Sequence, residues 1–118
     1  MSNPFTYAEL HTQDPAAAKL FYRQLFNWKV EDHPSAGGTY TEIDTGEGFP
    51  GGLLRAQNGN TSHWLPYIKV SDLAASTAAA KRMGARPVKE DVEVPQRGRY
   101  SVLYDPTGAL FGMWQPQP

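Results

Sequence analysis

The 118-residue chain contains no cysteine. That excludes disulfides, thiolate nucleophiles, zinc ribbons and iron–sulfur clusters. No apolar run approaches the roughly 18 residues that would suggest a membrane span, so no membrane partner is expected. Charge of one sign is also lacking: 11 Lys and Arg face 12 Asp and Glu, for a net charge of −1. A nucleic-acid binder would carry a basic stripe, so no nucleic-acid partner is expected either. The opening MSNPFTYAEL has no basic stretch followed by an apolar one, so no signal peptide is expected and a cytoplasmic location follows.

What is present suits one compact domain. Apolar residues make up 40% of the chain and aromatics 12%, enough for a core. Asp14-Pro15 reads as a helix start, with Asp as N-cap and Pro at the first helical position. Ala18, Phe21, Tyr22 and Leu25 then form one apolar stripe, and Asn27 is a candidate left-handed stop. A second helix follows Asp72, with Leu73, Thr77, Ala80 and Met83 as its stripe and Gly84 as its C-terminal glycine. Strands are expected at Phe5–Thr12, Trp28–Glu31, Thr39–Thr45, Gly52–Ala56, Trp64–Val70, Arg99–Tyr104 and Leu110–Gln115. Turns are expected at 35–38, at Pro50-Gly51-Gly52 and at Asp105-Pro106-Thr107-Gly108, and a long loop from Lys89 onward.

A shift of 58 residues superposes the halves: Asp14 meets Asp72 and Leu25 meets Met83. The repeat is one of pattern. Each half reads as βαβββ, giving an α+β fold of two modules whose curved mixed sheet surrounds a cleft, with the helices outside. A single domain over residues 1–118 is expected, with module 1 at about 1–57, a polar linker at about 57–62 and module 2 at about 63–118.

Several segments together resemble the vicinal oxygen chelate superfamily, which includes glyoxalase I, bleomycin-resistance proteins and extradiol dioxygenases. They are Thr12-Gln13-Asp14, the run from Phe21 to Trp28 (FYRQLFNW), Tyr67 to Asp72 (YIKVSD), Met83-Gly84-Ala85, and Asp105 to Gly112 (DPTGALFG). The resemblance implies a glyoxalase-like fold and a small-molecule cleft, often in a homodimer. Its metal-dependent members place one His or Glu on the first and last strand of each half. Counting from Asp14 and Asp105 and applying the 58-residue repeat puts those positions at Tyr7, Leu54, Leu65 and Gly112. That set lacks the donors a divalent ion requires, so no metal and no cofactor is expected there.

Strand alternation places Glu9 and His11 on the face of Tyr7, with Tyr67, Lys69 and Trp114 as second-half counterparts and Leu54 and Leu65 as a floor. Aromatic and apolar walls with a few polar groups suit a small-molecule ligand. Arg97 and Arg99 are candidates for holding an anionic group at the rim. Glu9, His11 and Tyr7 are the weak catalytic candidates, since residues i and i+2 on a strand lie side by side and can exchange protons. A displaced metal site using Glu9, His11 and Glu42 is an alternative. His33 and His63 read as exposed surface residues, and Trp28 and Trp64 as core or interface aromatics. Three functional classes stay open: a metal-free binder of an antibiotic-like or hydrophobic metabolite, a divergent enzyme of the glyoxalase or lactoylglutathione lyase kind, and an accessory domain with a vestigial cleft.

Overall fold

The computed structural model describes residues 2–57 and 59–118; Asn58, inside the expected linker, lies outside them. Among the described residues, eight strands and two helices run in the order β1 (Phe5–Thr12), α1 (Pro15–Leu25), β2 (Lys29–Ser35), β3 (Gly38–Asp44), β4 (Gly51–Arg55), β5 (His63–Lys69), α2 (Leu73–Arg82), β6 (Arg86–Val94), β7 (Gly98–Tyr104) and β8 (Leu110–Pro116). The fold is α+β, a βαβββ order given twice. Residues 7–65 form one compact unit, and residues 2–6 with 66–118 form the other. The amino-terminal segment joins the second unit because Lys69 N donates to Pro4 O and Asn3 Nδ2 donates to Lys69 O.

In the unit of residues 7–65 the strand order is β2-β3-β4-β1. β1 and β4 are parallel, with Glu9 opposite Gly52 and His11 opposite Leu54. β2, β3 and β4 pair antiparallel. Asp14 caps α1 by accepting from Ala17 N at 3.1 Å. Leu10, Ile43 and Leu53 make the core on the helix side of this sheet, and Ala18 and Tyr22 pack on it.

The expected α1 stripe is only half used. Phe21 and Leu25 are 56% and 57% exposed, and no α1 residue is buried. Asn27 does not stop the helix in a left-handed conformation; α1 ends at Phe26, whose backbone is extended and whose N–H reaches Tyr22 O. Trp28 then stacks on Tyr22 at 5.5 Å, and that packing turns the chain into β2. Gly51 and Gly52 belong to β4 and not to a turn, because the reversal is made earlier, around Gly46 and Gly48, both at positive φ.

In the second unit the order is β5-β8-β7-β6. β5 and β8 are parallel, pairing Tyr67 with Gly112 and Lys69 with Trp114. Asp72 caps α2 through Ala75 N at 3.0 Å. At the other end Gly84 has φ +101°, Gly84 N donates to Lys81 O and Ala85 N donates to Ala80 O, the paired closure that a left-handed glycine permits. Leu73 and Thr77 are buried, whereas Met83, expected on the stripe, is exposed as the cap residue. Val70, Leu73, Leu103 and Met113 form the core under α2.

The loop expected from Lys89 is largely strand β6, hydrogen-bonded to β7. Its register shifts between Pro87 and Lys89 and again between Lys89 and Val92, with Asp91 at φ +49°. The shifts break the alternation that would have marked a strand. Buried Ser101 accepts from Asp91 N at 2.9 Å and pairs with Thr77 Oγ1 at 2.8 Å, which anchors the irregular strand. The 105–108 turn is as expected: Asp105 O accepts from Gly108 N, and Asp105 Oδ1 accepts from Thr107 and Ala109 N. Among the described residues, no helix is long and apolar enough to cross a membrane.

Candidate functional site

In residues 7–65 the sheet face turned away from α1 carries Tyr7, Glu9 and His11 from β1, Gly52 and Leu54 from β4, Tyr40 and Glu42 from β3, and Glu31 and His33 from β2. The register puts these on one side, opposite Leu10, Leu53, Thr41 and Ile43.

Four of these side chains form one hydrogen-bonded row. Tyr40 Oη donates to Glu9 Oε2 at 2.7 Å. Its single proton is thereby used, so Tyr7 Oη, 2.6 Å away, is the donor to Tyr40. His11 Nε2 lies 2.8 Å from Glu9 Oε1 and donates to it when the carboxylate is ionised. Glu9 is therefore held at both oxygens, with its side chain only 12% exposed and that of His11 17% exposed. Burial, and then the negative charge of Glu9, push the Tyr40 hydroxyl well above the ordinary phenol range. Tyr40 is held as a neutral donor.

Gly52 makes this row possible. A Cβ there would overlap Tyr40 Oη and stand 2.7 Å from Tyr7 Oη, so only glycine leaves room for both hydroxyls beside the strand.

Tyr40 and His63 complete the site, and the sequence reading missed both. His63 is not a free surface residue. Its ring stacks on His11 at 5.0 Å with an interplanar angle of 7°, and its Nδ1 donates to Thr61 O at 2.7 Å. His63 stands 52 residues after His11, so only the fold brings them together. The alternation Tyr40/Glu42 on β3 was the signal available for Tyr40. His33 keeps a side chain 40% exposed, but its Nε2 is covered, 2.6 Å from Glu42 Oε1 and 3.0 Å from Glu31 Oε1. Glu42 thus clusters with Glu31 and His33, away from the displaced site expected with Glu9 and His11.

The other expected residues divide by unit. Leu54 is half-buried opposite His11, and Leu65 is buried on β5. In residues 66–118 the register places Tyr67, exposed Lys69, Tyr100 and Trp114 on one face of β5, β8 and β7. The Tyr67 ring covers Gly112, where a Cβ would overlap it, and Tyr100 meets Tyr67 edge-on at 6.1 Å. Arg99 points to the opposite face from Trp114. Its guanidinium donates to the Asp91 carboxylate and, at 2.9 Å, to Asp91 O. Arg97 is exposed in the turn between β6 and β7.

The family profile described as the glyoxalase-like domain matches residues 7–113. The chain belongs to that family. With it the chain belongs to the vicinal oxygen chelate superfamily. This glyoxalase-like chain is 32% identical over 112 residues to CFP32 of Mycobacterium bovis, a protein named as a candidate glyoxylase. It is 31% identical over 123 residues to the anthracycline biosynthesis protein DauV of Streptomyces sp. strain C5. The matches cover 93% and 91% of this chain but only 43% and 45% of those proteins, so the chain spans less than half the length of either. Among solved structures, a hypothetical protein of Bacillus halodurans C-125 superposes with a TM-score of 0.74 at 18% identity, covering 100% of this chain and 97% of that one. Methylmalonyl-CoA epimerase of Mycobacterium tuberculosis gives 0.72 at 16% identity, with 97% and 88% covered. These likenesses show the glyoxalase-like fold.

The residues at the superfamily's metal positions do not fit a metal. Tyr7 offers a phenol already committed to Tyr40, Leu54 and Leu65 offer hydrocarbon, and Gly112 offers no side chain. The register sharpens the assignment for the first unit. Tyr67 stands opposite Gly112, and its 58-residue counterpart, Glu9, stands opposite Gly52 and not Leu54. Either choice leaves the position without a donor. Under each glycine a tyrosine fills the space that a ligand side chain would need.

Proposed function

We propose that this glyoxalase-like chain binds a small organic molecule against the face of Tyr7, Glu9, His11 and Tyr40, without a metal at the superfamily's four positions. The carrying observation is the row Tyr7–Tyr40–Glu9–His11, a buried carboxylate fixed by two donors at 2.7 and 2.8 Å. Such a preformed set of polar groups orients a ligand without spending binding energy on ordering them. Leu54, opposite His11 on the same face, offers apolar surface beside it.

The relatives suggest what to try. One is named for anthracycline biosynthesis, and a structural neighbour was solved with methylmalonyl-CoA. The proposed ligand classes are accordingly a polycyclic aromatic metabolite or an acyl thioester. The reading carries with it a cytoplasmic homodimer, supported by the exposed apolar Phe21, Leu25 and Phe26, and checked by light scattering and cell fractionation.

The test is thermal unfolding and calorimetric titration with an anthracycline and with methylmalonyl-CoA. A binder at 100 times its Kd should stabilise the fold by about 2.7 kcal/mol. Tyr40→Phe and Glu9→Gln should weaken that binding about tenfold or more, because each leaves a buried polar partner unmatched. Stabilisation unchanged in both variants, or no stabilisation by either class, refutes the proposal.

A second reading, a divergent enzyme, is favoured by one observation: the His11–Glu9 pair has the geometry of an oriented acid–base couple. Turnover of a bound thioester that disappears in His11→Ala, with binding retained, would select it.

A further inference from the structure

On the same sheet of residues 7–65, away from the superfamily positions, Glu31 and Glu42 stand directly opposite each other on β2 and β3. Two carboxylates at such a cross-strand pair repel, and the arrangement calls for a cation between them. His33, two residues along β2, shares their face and sends Nε2 to 3.0 Å from Glu31 and 2.6 Å from Glu42. That nitrogen is buried and, among the described residues, makes no hydrogen bond: both carboxylate oxygens are close, yet neither lies along a donor axis. The nitrogen is crowded by two carboxylate oxygens without a hydrogen bond to either, an arrangement that a shared cation would relieve.

We propose that Glu31, His33 and Glu42 form a binding site for a divalent first-row transition metal, Zn²⁺ in the first instance. The three ligand atoms lie within 4.8 Å of one another. One imidazole nitrogen and two carboxylate oxygens suit zinc and its neighbours in the series. Zinc bonds near 2.0–2.1 Å need ligand atoms about 3.3 Å apart in a tetrahedron, wider than the 3.0 Å from His33 to Glu31 and wider still than the 2.6 Å to Glu42. The Glu31 side chain is 76% exposed on an edge strand, and those of Glu42 and His33 are 39% and 40% exposed, so all three have freedom to open around an ion. Three protein ligands leave a fourth position for water or for an oxygen of a bound molecule. The site is separate from Tyr7, Leu54, Leu65 and Gly112, and its failure would leave the small-molecule proposal standing.

The experiment uses the full chain after dialysis against EDTA, titrated calorimetrically with Zn²⁺ alone and, separately, with Co²⁺, whose visible absorption reports nitrogen and oxygen coordination. One ion per chain should bind, with a rise in Tm. His33→Gln and Glu31→Gln should each weaken binding by about tenfold or more, the scale seen when metal sites are disturbed. His11→Gln and His63→Gln should leave it unchanged. Circular dichroism checks that each variant folds, and Glu31→Gln, on an exposed side chain, guards against a folding artefact at His33. No binding at millimolar Zn²⁺ overturns the proposal and leaves an ion-pair cluster only. Loss of binding in His11→Gln or His63→Gln with retention in His33→Gln overturns it in favour of the stacked histidines.

Discussion

In residues 7–65 the sheet face away from the helix holds Tyr7, Glu9, His11, Tyr40 and Glu42; in residues 66–118 the corresponding face holds Tyr67, Lys69, Tyr100, Val102 and Trp114. Glu9 and Tyr67 occupy the same place in the two registers, each opposite a glycine of the last strand of its unit. One unit answers the glycine with hydroxyls and a carboxylate, the other with an aromatic ring. The helices differ as well. α2 buries Leu73 and Thr77, whereas α1 buries nothing fully and leaves Phe21 and Leu25 to solvent. A repeated frame therefore carries two different faces, a hydrogen-bonded polar row in one unit and a largely aromatic set in the other, and the backbone pattern alone does not tell them apart.

The helix contrast should give the largest effects. Leu73→Ala removes a fully buried side chain from the core of Val70, Leu103 and Met113 and should cost about 2–5 kcal/mol. Leu25→Ala removes an exposed one and should stay within about 0.5 kcal/mol. Denaturant unfolding of both variants measures the difference; equal losses would mean that α1 is covered in solution. Next come the glycines. Gly112→Ala drives a methyl into the Tyr67 ring close to its Cγ, where the side chain has little room to swing, and should cost about 3 kcal/mol. Gly52→Ala meets the far ends of Tyr40 and Tyr7, which can move aside, and should cost about 1 kcal/mol while breaking the Tyr40–Glu9 hydrogen bond. Placing Gly112→Ala in a Tyr67→Ala background should remove most of its penalty. If it does not, the ring is not what makes the glycine necessary.

These contrasts also show what the sequence could and could not reveal. Asp14, Asp72, Gly84 and the Asp105–Gly108 turn act locally, through atoms two to five residues away, so their residue types announced the elements they bound. Strand β6 was hidden because its pairing slips between Pro87 and Lys89 and again between Lys89 and Val92, and a strand without alternation looks like a loop. The constant offset of 58 residues failed by two at the last strands, which moved one cavity position from Gly52 to Leu54. His63 and Tyr40 belong to the Glu9 row only through register and stacking, and His33 meets Glu42 across two strands. Sequence spacing carries no trace of such contacts. The stripe on α1 misled for a different reason: amphipathic spacing says which residues share a side, not whether anything covers it.

The smallest expected effects lie in acid, and they separate the units again. Hydrogen bonding by Lys19 at 2.7 Å, then by Thr41 at 2.7 Å, holds the Asp32 carboxyl below its ordinary 3.8. In the other unit Thr107 and the backbone N–H groups of Ala109 and Thr107 do the same for Asp105. A folded-state pKa below the unfolded one means stabilisation that is complete above the unfolded value and is lost as pH falls through the folded one. Asp32→Asn and Asp105→Asn should therefore each flatten the acid limb of the stability curve below about pH 4, with the gap to wild type closing as pH falls. Both carboxylates are at the surface, so each effect is small. Salt should then distinguish them. The Asp32 contribution rests first on a charged lysine and should shrink as ionic strength rises, while that of Asp105 rests on neutral donors one or two bonds from a turn and should persist. Urea unfolding across acid pH at low and high salt measures both, and an equal salt response at the two positions would show that Lys19 is not what holds Asp32 ionised.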